Sequence, residues 1–186
     1  SMMYGYWTRV FKSGGYNLRN SVDLATFPDA SPKADDETVE TLEFGMKTDY
    51  ENGRLNWALF STVVDDSQRM TNIQDPVSGV AQVVKNAGDI AYRGFELDGI
   101  YSLTNTVTMV GSVGYVHSKY ENLISDLTGD FIIDALDYAL EIPRAAPLTY
   151  SLGFNIDGNM GSWRSITRIS YYHRDKSYYN ENNQGY

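Results

Sequence analysis

The 186-residue chain contains no cysteine. Disulfide scaffolds, thiolate metal sites and cysteine nucleophiles are therefore excluded. Histidine is scarce too. His117 and His173 are the two present, at no paired spacing, so a dedicated metal site is not expected. Basic residues are a minority, with 15 Lys plus Arg against 24 Asp plus Glu and a net charge of -9. A nucleic-acid partner needs basic patches for its phosphates, so none is expected. No apolar run approaches the roughly 18 residues of a membrane helix. The opening "SMMYGYWTRVF" lacks a basic start and a long apolar core, so it does not read as a signal peptide. No Gly-rich phosphate loop precedes a helix, and no serine nucleophile elbow is present. No cofactor is expected.

What the chain does have is tyrosine and glycine. There are 15 Tyr, 3 Trp and 7 Phe beside 16 Gly and 5 Pro. With moderate overall hydrophobicity, that mixture suits an all-β protein with one wet and one apolar face, not a helical bundle.

Alternation of apolar and polar residues predicts seven strands, at 2–11, 38–50, 54–64, 90–103, 106–120, 147–156 and 162–174. In the second, Leu42, Phe44, Met46 and Tyr50 take one face, and Thr41, Glu43, Lys47 and Asp49 the other. In the sixth, Leu148, Tyr150, Leu152, Phe154 and Ile156 oppose Thr149, Ser151, Gly153 and Asn155.

The connections alternate in length. "ENGR" (51–54), "TN" (104–105) and "DGNMG" (157–161) read as tight turns, Asn-Gly and Asp-Gly supplying positive φ. Between them lie long polar segments, about 12–37, 65–89 and 122–146, and a tail from Asp175. Structureless loops of that length are uncommon in a compact domain. An up-and-down antiparallel meander of about seven or eight long strands, with every long loop at one end, accounts for the regularity. This is the pattern of a transmembrane β-barrel, with short periplasmic turns and long extracellular loops. The apolar face would meet lipid and the polar face would line the lumen. Tyr6, Trp7, Tyr50, Trp57, Tyr101, Trp163 and Tyr171 then read as interfacial aromatic girdles.

Four segments carry a family resemblance. They are "YGYWTRVFKSGGYN" (4–17), "ETVETLEFGMKTDYENGRLNWALFSTVVDDSQ" (37–68), "NAGDIAYRGFELDGIYSL" (86–103) and "EIPRAAPLTYSLGFNI" (141–156). In order and at hairpin spacing, they resemble the C-terminal barrel region of TonB-dependent outer-membrane receptors. The resemblance implies a larger barrel around an N-terminal plug, a TonB-contacting box, and location in the Gram-negative outer membrane. Residues 1–186 would be a partial barrel without plug, TonB box or final strands. The implied activity is import of a scarce small ligand, with a ferric siderophore or other iron chelate as the expected cargo and TonB as the energy-coupling partner. The expected ligand contacts are lumen-facing groups near the outer rim, Tyr120, Arg168, Tyr172 and Arg174.

Glu96 and Asp98 pose a separate question. Two residues apart on one strand, they share a face at roughly 7 Å, a separation an inverting glycosidase uses. A hydrated lumen wall, its charges facing one another or the plug, explains them better. Arg164 and Arg168 are the candidate basic partners. The stretch 125–138, "SDLTGDFIIDALDY", reads as an extracellular loop with a short helix, and 29–37, "DASPKADDE", as a solvated loop. Two rival functions remain at this point. A soluble β-sandwich or lectin-like module would pack the Leu42, Phe44, Met46 face on the Leu148, Leu152, Phe154 face. A glycosidase would use Glu96 and Asp98. An isolated segment of this kind would carry open edges and an apolar face, and is expected to dimerise or to fold its sheet onto itself.

Overall fold

The computed structural model describes residues 1–16, 33–75, 79–130 and 132–183. Eleven strands and one helical turn occur among them. They are β1 (Met2–Lys12), β2 (Gly15–Tyr16), β3 (Lys33–Ala34), β4 (Glu37–Tyr50), β5 (Gly53–Asp65), β6 (Gln68–Asp75), β7 (Gly79–Asn86), β8 (Gly88–Ser102), β9 (Val107–Leu123), α1 (Ala135–Tyr138), β10 (Leu148–Met160) and β11 (Trp163–Arg174). One seven-stranded sheet has the order β1-β4-β5-β8-β9-β10-β11, every pair antiparallel. The seven expected strands are all present, and their spatial order follows the chain.

The register shows why alternation was so legible. Directly opposed residues share a face. Met3, Met46, Trp57, Leu97, Val113, Tyr150 and His173 form one such row across all seven strands. Lys47, Asn56, Asp98, Ser112, Ser151 and Tyr172 form a row on the other face. The sheet thus has an apolar and a polar side along its full width. Leu42, Phe44 and Leu152 all lie on the apolar side and are 61%, 42% and 43% exposed. The sandwich arrangement, in which these residues pack face to face, is not formed. Nor is the sheet folded onto itself. Among the described residues, β1 and β11 are its open edges.

Several connections differ from the expectation. Segment 65–89 is not a structureless loop but a hairpin, β6 against β7, that prolongs the sheet end between β5 and β8. Residues 33–34 pair with 15–16 in a second small ladder. The Glu51–Asn52 turn joins Tyr50 to Gly53 with no positive φ at Asn52 or Gly53, so the turn does not use the conformation Asn-Gly was expected to supply. Asp157 and Gly158 lie within β10, and the turn comes later, at Gly161, whose φ is 65°.

Buried apolar residues gather at the long-loop end. Ile90, Tyr120, Leu123 and Ile142 form the cluster, with Val64, Tyr92, Leu127, Leu140 and Ala145 packed against it. Val64, Ile90, Tyr92 and Tyr120 belong to the polar side of the sheet. The regular β8–β9 register sets Tyr120 opposite Ile90, and a one-residue shift follows beside Asp89. The 124–147 connection therefore folds back over the polar face rather than the apolar one.

Glycines hold the sheet where side chains crowd. A Cβ at Gly94 would collide with the Tyr115 carbonyl and the Phe60 ring, and one at Gly45 would meet Tyr4. A Cβ at Gly111 would meet nothing nearer than 3.5 Å. We predict that Gly94→Ala destabilises the sheet by about 1–3 kcal/mol through overpacking, while Gly111→Ala leaves it unchanged. The loss of SDS-resistant folded protein with rising temperature measures the difference.

Candidate functional site: the outer end of the polar face

The polar face carries the charged residues singled out from the sequence. Glu43 accepts hydrogen bonds from Tyr4 and Tyr6, each at 2.9 Å. Tyr6 therefore belongs to the polar face and not to an interfacial girdle. Tyr50, Tyr101 and Trp163 do lie on the apolar face beside the short turns, while Trp57 packs edge-on against Phe44 at 5.7 Å.

Asp98 accepts from the Asn56 amide at 2.8 Å, and Glu96 has no hydrogen-bond partner among the described residues. Both acids are exposed. The expected basic partners are engaged elsewhere. Arg164 makes a two-point pair with Asp157, at 2.9 and 3.0 Å, and Arg168 donates to Asn155 at 2.8 Å. A glycosidase needs a water-excluding pocket that raises one carboxyl. The two acids instead stand on an open wall. Among the described residues, no three His, Asp or Glu side chains converge as a metal site requires.

The outer end is built from three segments. The first is the base of the β6–β7 hairpin. Gln68 donates from its backbone to Glu37 at 2.6 Å, and from its side-chain amide to the Ser13 and Asp35 carbonyls at 3.2 and 2.9 Å. Asn86 accepts from the Asp35 N–H at 2.8 Å and donates to the Asp35 and Asp66 carbonyls at 3.1 and 2.6 Å. These two amides tie the β1–β4 connection to the hairpin. Gly14 donates to Asp36 at 2.6 Å, and Lys33 pairs with Asp35. The acidic stretch thus uses its carboxylates as local staples. Its residues 29–32 lie outside the described residues.

The second segment is 124–147. Asp134 caps α1 in a capping box with Asp137. The Asp137 side chain is wholly buried and accepts from the backbone of Leu127, Thr128 and Asp134 at 2.8, 2.9 and 3.0 Å. Burial by itself would raise its carboxyl, but these donors win and hold it below the usual carboxylate range.

The third is the segment after β11. Arg144 donates its backbone N–H to the Tyr178 carbonyl at 2.9 Å, and its guanidinium lies 4.8 Å from the centre of the Tyr179 ring. Asn183 and Glu141 exchange two hydrogen bonds at 2.7 and 2.8 Å. Glu181 accepts from the Tyr120 hydroxyl at 2.7 Å and faces Arg69 at 3.6 Å. Burial works against the charge on Arg69, and Glu181 with Tyr92 outweighs it. The Arg69 Nε is buried with no partner among the described residues.

The expected contacts do not form one group. Tyr120 is 3% exposed and committed to Glu181. Arg168 sits mid-strand on Asn155. Tyr172 and Arg174 share the outer part of the polar face, and Arg174 donates to the Arg144 carbonyl at 3.1 Å. The exposed cluster at the rim is thus Tyr172, Arg174, Arg144 and Tyr179. Arg144 and Arg69 have no periodic signature. Tertiary contacts alone bring them here.

Residues 2–186 match the family described as TonB dependent receptor-like, beta-barrel. The chain belongs to that family. Its members are outer-membrane β-barrels that bind small scarce ligands and work with TonB. No curated protein matches it. Two solved structures share the fold. The ferric yersiniabactin uptake receptor FyuA from Yersinia pestis aligns with a TM-score of 0.71 at 16% identity, over 98% of this chain and 24% of that one. The copper transporter OprC aligns with a TM-score of 0.62 at 18% identity, over 87% of this chain and 22% of that one. The chain therefore spans about a quarter of the length of either protein.

Two outcomes follow from the loop anchors. Asn86→Leu removes three hydrogen bonds and should loosen the β6–β7 hairpin by about 1–3 kcal/mol, read as faster amide exchange over 66–86. The Asp137 pKa lies below the ordinary carboxylate range, so the stability it contributes is complete above that range and is lost as pH falls through the folded value. Protease cleavage within 124–147 should rise below about pH 4 in the native protein, and should already be high at neutral pH in Asp137→Asn.

Proposed function

We propose that this chain forms part of the wall and outer mouth of a TonB-dependent uptake channel in the Gram-negative outer membrane, whose cargo is a ferric siderophore. The observation that carries the reading is the infolded 124–147 connection. It packs on Val64, Tyr92 and Tyr120 of the polar face, which supports reading that face as the interior and the apolar face as the lipid side. A plug, supplied by the whole receptor and coupled to TonB, faces the wall that holds Glu43, Glu96 and Asp98.

Ligand capture takes place at the rim. Tyr172 and Arg174 contact the cargo directly, with Arg144 and Tyr179 beside them. Exposed guanidinium groups and aromatic rings suit an anionic iron chelate, through charge-assisted hydrogen bonds and ring stacking. Tyr120 acts through Glu181, and Arg168 lies deeper, on the route past the plug. The activity is binding and passage, with no covalent step.

The test is uptake by the whole receptor in a cell lacking its own iron-chelate transporters. Labelled ferric siderophore should accumulate, and the Arg174→Ala, Tyr172→Ala double variant should bind it at least about tenfold more weakly, for about 1.4 kcal/mol lost. Import of copper, cobalamin or a sugar instead, with no iron chelate taken up, would overturn the cargo assignment.

A further inference from the structure

The apolar face is not uniformly covered. Near the short turns Gly99 stands opposite Gly111, with Leu55 outside one and Leu152 outside the other. Leu97 and Val113 close one end of the gap, and Tyr101 and Met109 the other. The result is a trough of about 590 Å³. It runs with the strands from the Val113 level to the Met109 level, about 14 Å at the rise of a strand. Tyr50 and Tyr101 stand at its turn end, 58% and 44% exposed.

At Gly99 a Cβ would lie 3.0 Å from the Arg54 carbonyl, but at Gly111 the fold does not require the gap. Glycine within a strand forgoes packing and loses more backbone entropy than other residues. At some positions of this sheet it is compelled. At Gly88 φ is 122° and a Cβ would strike the Asn122 carbonyl, and at Gly94 a Cβ would strike the Tyr115 carbonyl. At Gly111 neither reason applies, since φ is not positive and a Cβ would sit 3.5 Å from the Ser151 carbonyl. A side chain there would fit and would fill the trough.

We propose that the trough binds one acyl chain of a phospholipid in the leaflet at the short-turn end, with its ester region at Tyr50 and Tyr101. This rests on the reading of the apolar face as the lipid-facing one. Three features select this occupant. The trough is continuous with that face, so its contents come from the membrane. Its walls are mainly apolar, and the Arg54 and Ser112 that also border it belong by register to the polar side, which suits a polymethylene rod and not a headgroup. Its tyrosines lie at the end where chain meets ester, the level at which such rings settle in bilayers.

The experiment uses the whole receptor in nanodiscs of phosphatidylethanolamine doped with an analogue bearing a diazirine midway along one acyl chain. After illumination, adducts are mapped by peptide mass spectrometry. Adducts at Leu97, Met109 and Val113 should exceed those at Phe44 and Leu59, on the same face, by at least about fivefold. Gly111→Leu should abolish that excess while the barrel keeps its SDS resistance, and Gly111→Val serves if the larger residue prevents folding. Equal labelling along the apolar face, or an excess that survives both substitutions, would overturn the acyl-chain site and leave the lipid-facing assignment intact. Labelling of Glu96 and Ser112 peptides with none on the apolar face would overturn both.

Discussion

Every feature of this chain depends on the register of its antiparallel ladder. Side chains alternate with a period of two, so a slip of one residue between neighbours would carry a whole strand's apolar set to the wet side. From β1 to β11 the six pairings stay in phase where the sheet is continuous. The one irregularity, beside Asp89, falls at the outer end. It lies just beyond the Ile90–Tyr120 pair and leaves Glu121 without a partner in the ladder, next to where the 124–147 connection packs. Two solvents can be assigned to two faces because seven strands agree on which residues are paired.

The outer end is held together differently. Little apolar surface is available to fold the connections, and what exists is concentrated around Ile90 and Ile142. Order there comes from buried acceptors and amides that satisfy loop backbone. Asp137 takes three backbone donors, Gln68 and Asn86 both reach the Asp35 carbonyl more than thirty residues away, and Glu181 joins Tyr120 to Arg69. Such groups are costly to leave unpaired. They fix a loop's base without fixing its tip.

That division explains what the sequence made legible. The seven long strands, their order, their faces and the helical turn near Ala135 each follow from local periodicity or a local cap. The β6–β7 hairpin reads as a loop in the sequence because Pro76, Ser78 and Gly79 interrupt it and its residues alternate weakly. Tyr6 was assigned to lipid by its residue type, whereas its face is set by parity with Glu43. Tyr120 was expected at an open wall, but a connection twenty residues further along the chain covers it. Arg69 and Arg144 could not be found by period or motif, because the segments that meet at them are distant in sequence.

The amide clasp at Gln68 and Asn86 has an evolutionary consequence. It closes the hairpin's base with contacts to main-chain atoms and the Glu37 carboxylate, so it asks almost nothing of the residues beyond it. Insertions, deletions and substitutions in the distal part can accumulate without disturbing the wall below. The barrel end works like a chuck that grips the shank of whatever bit is fitted. The bit can then change while the chuck stays constant.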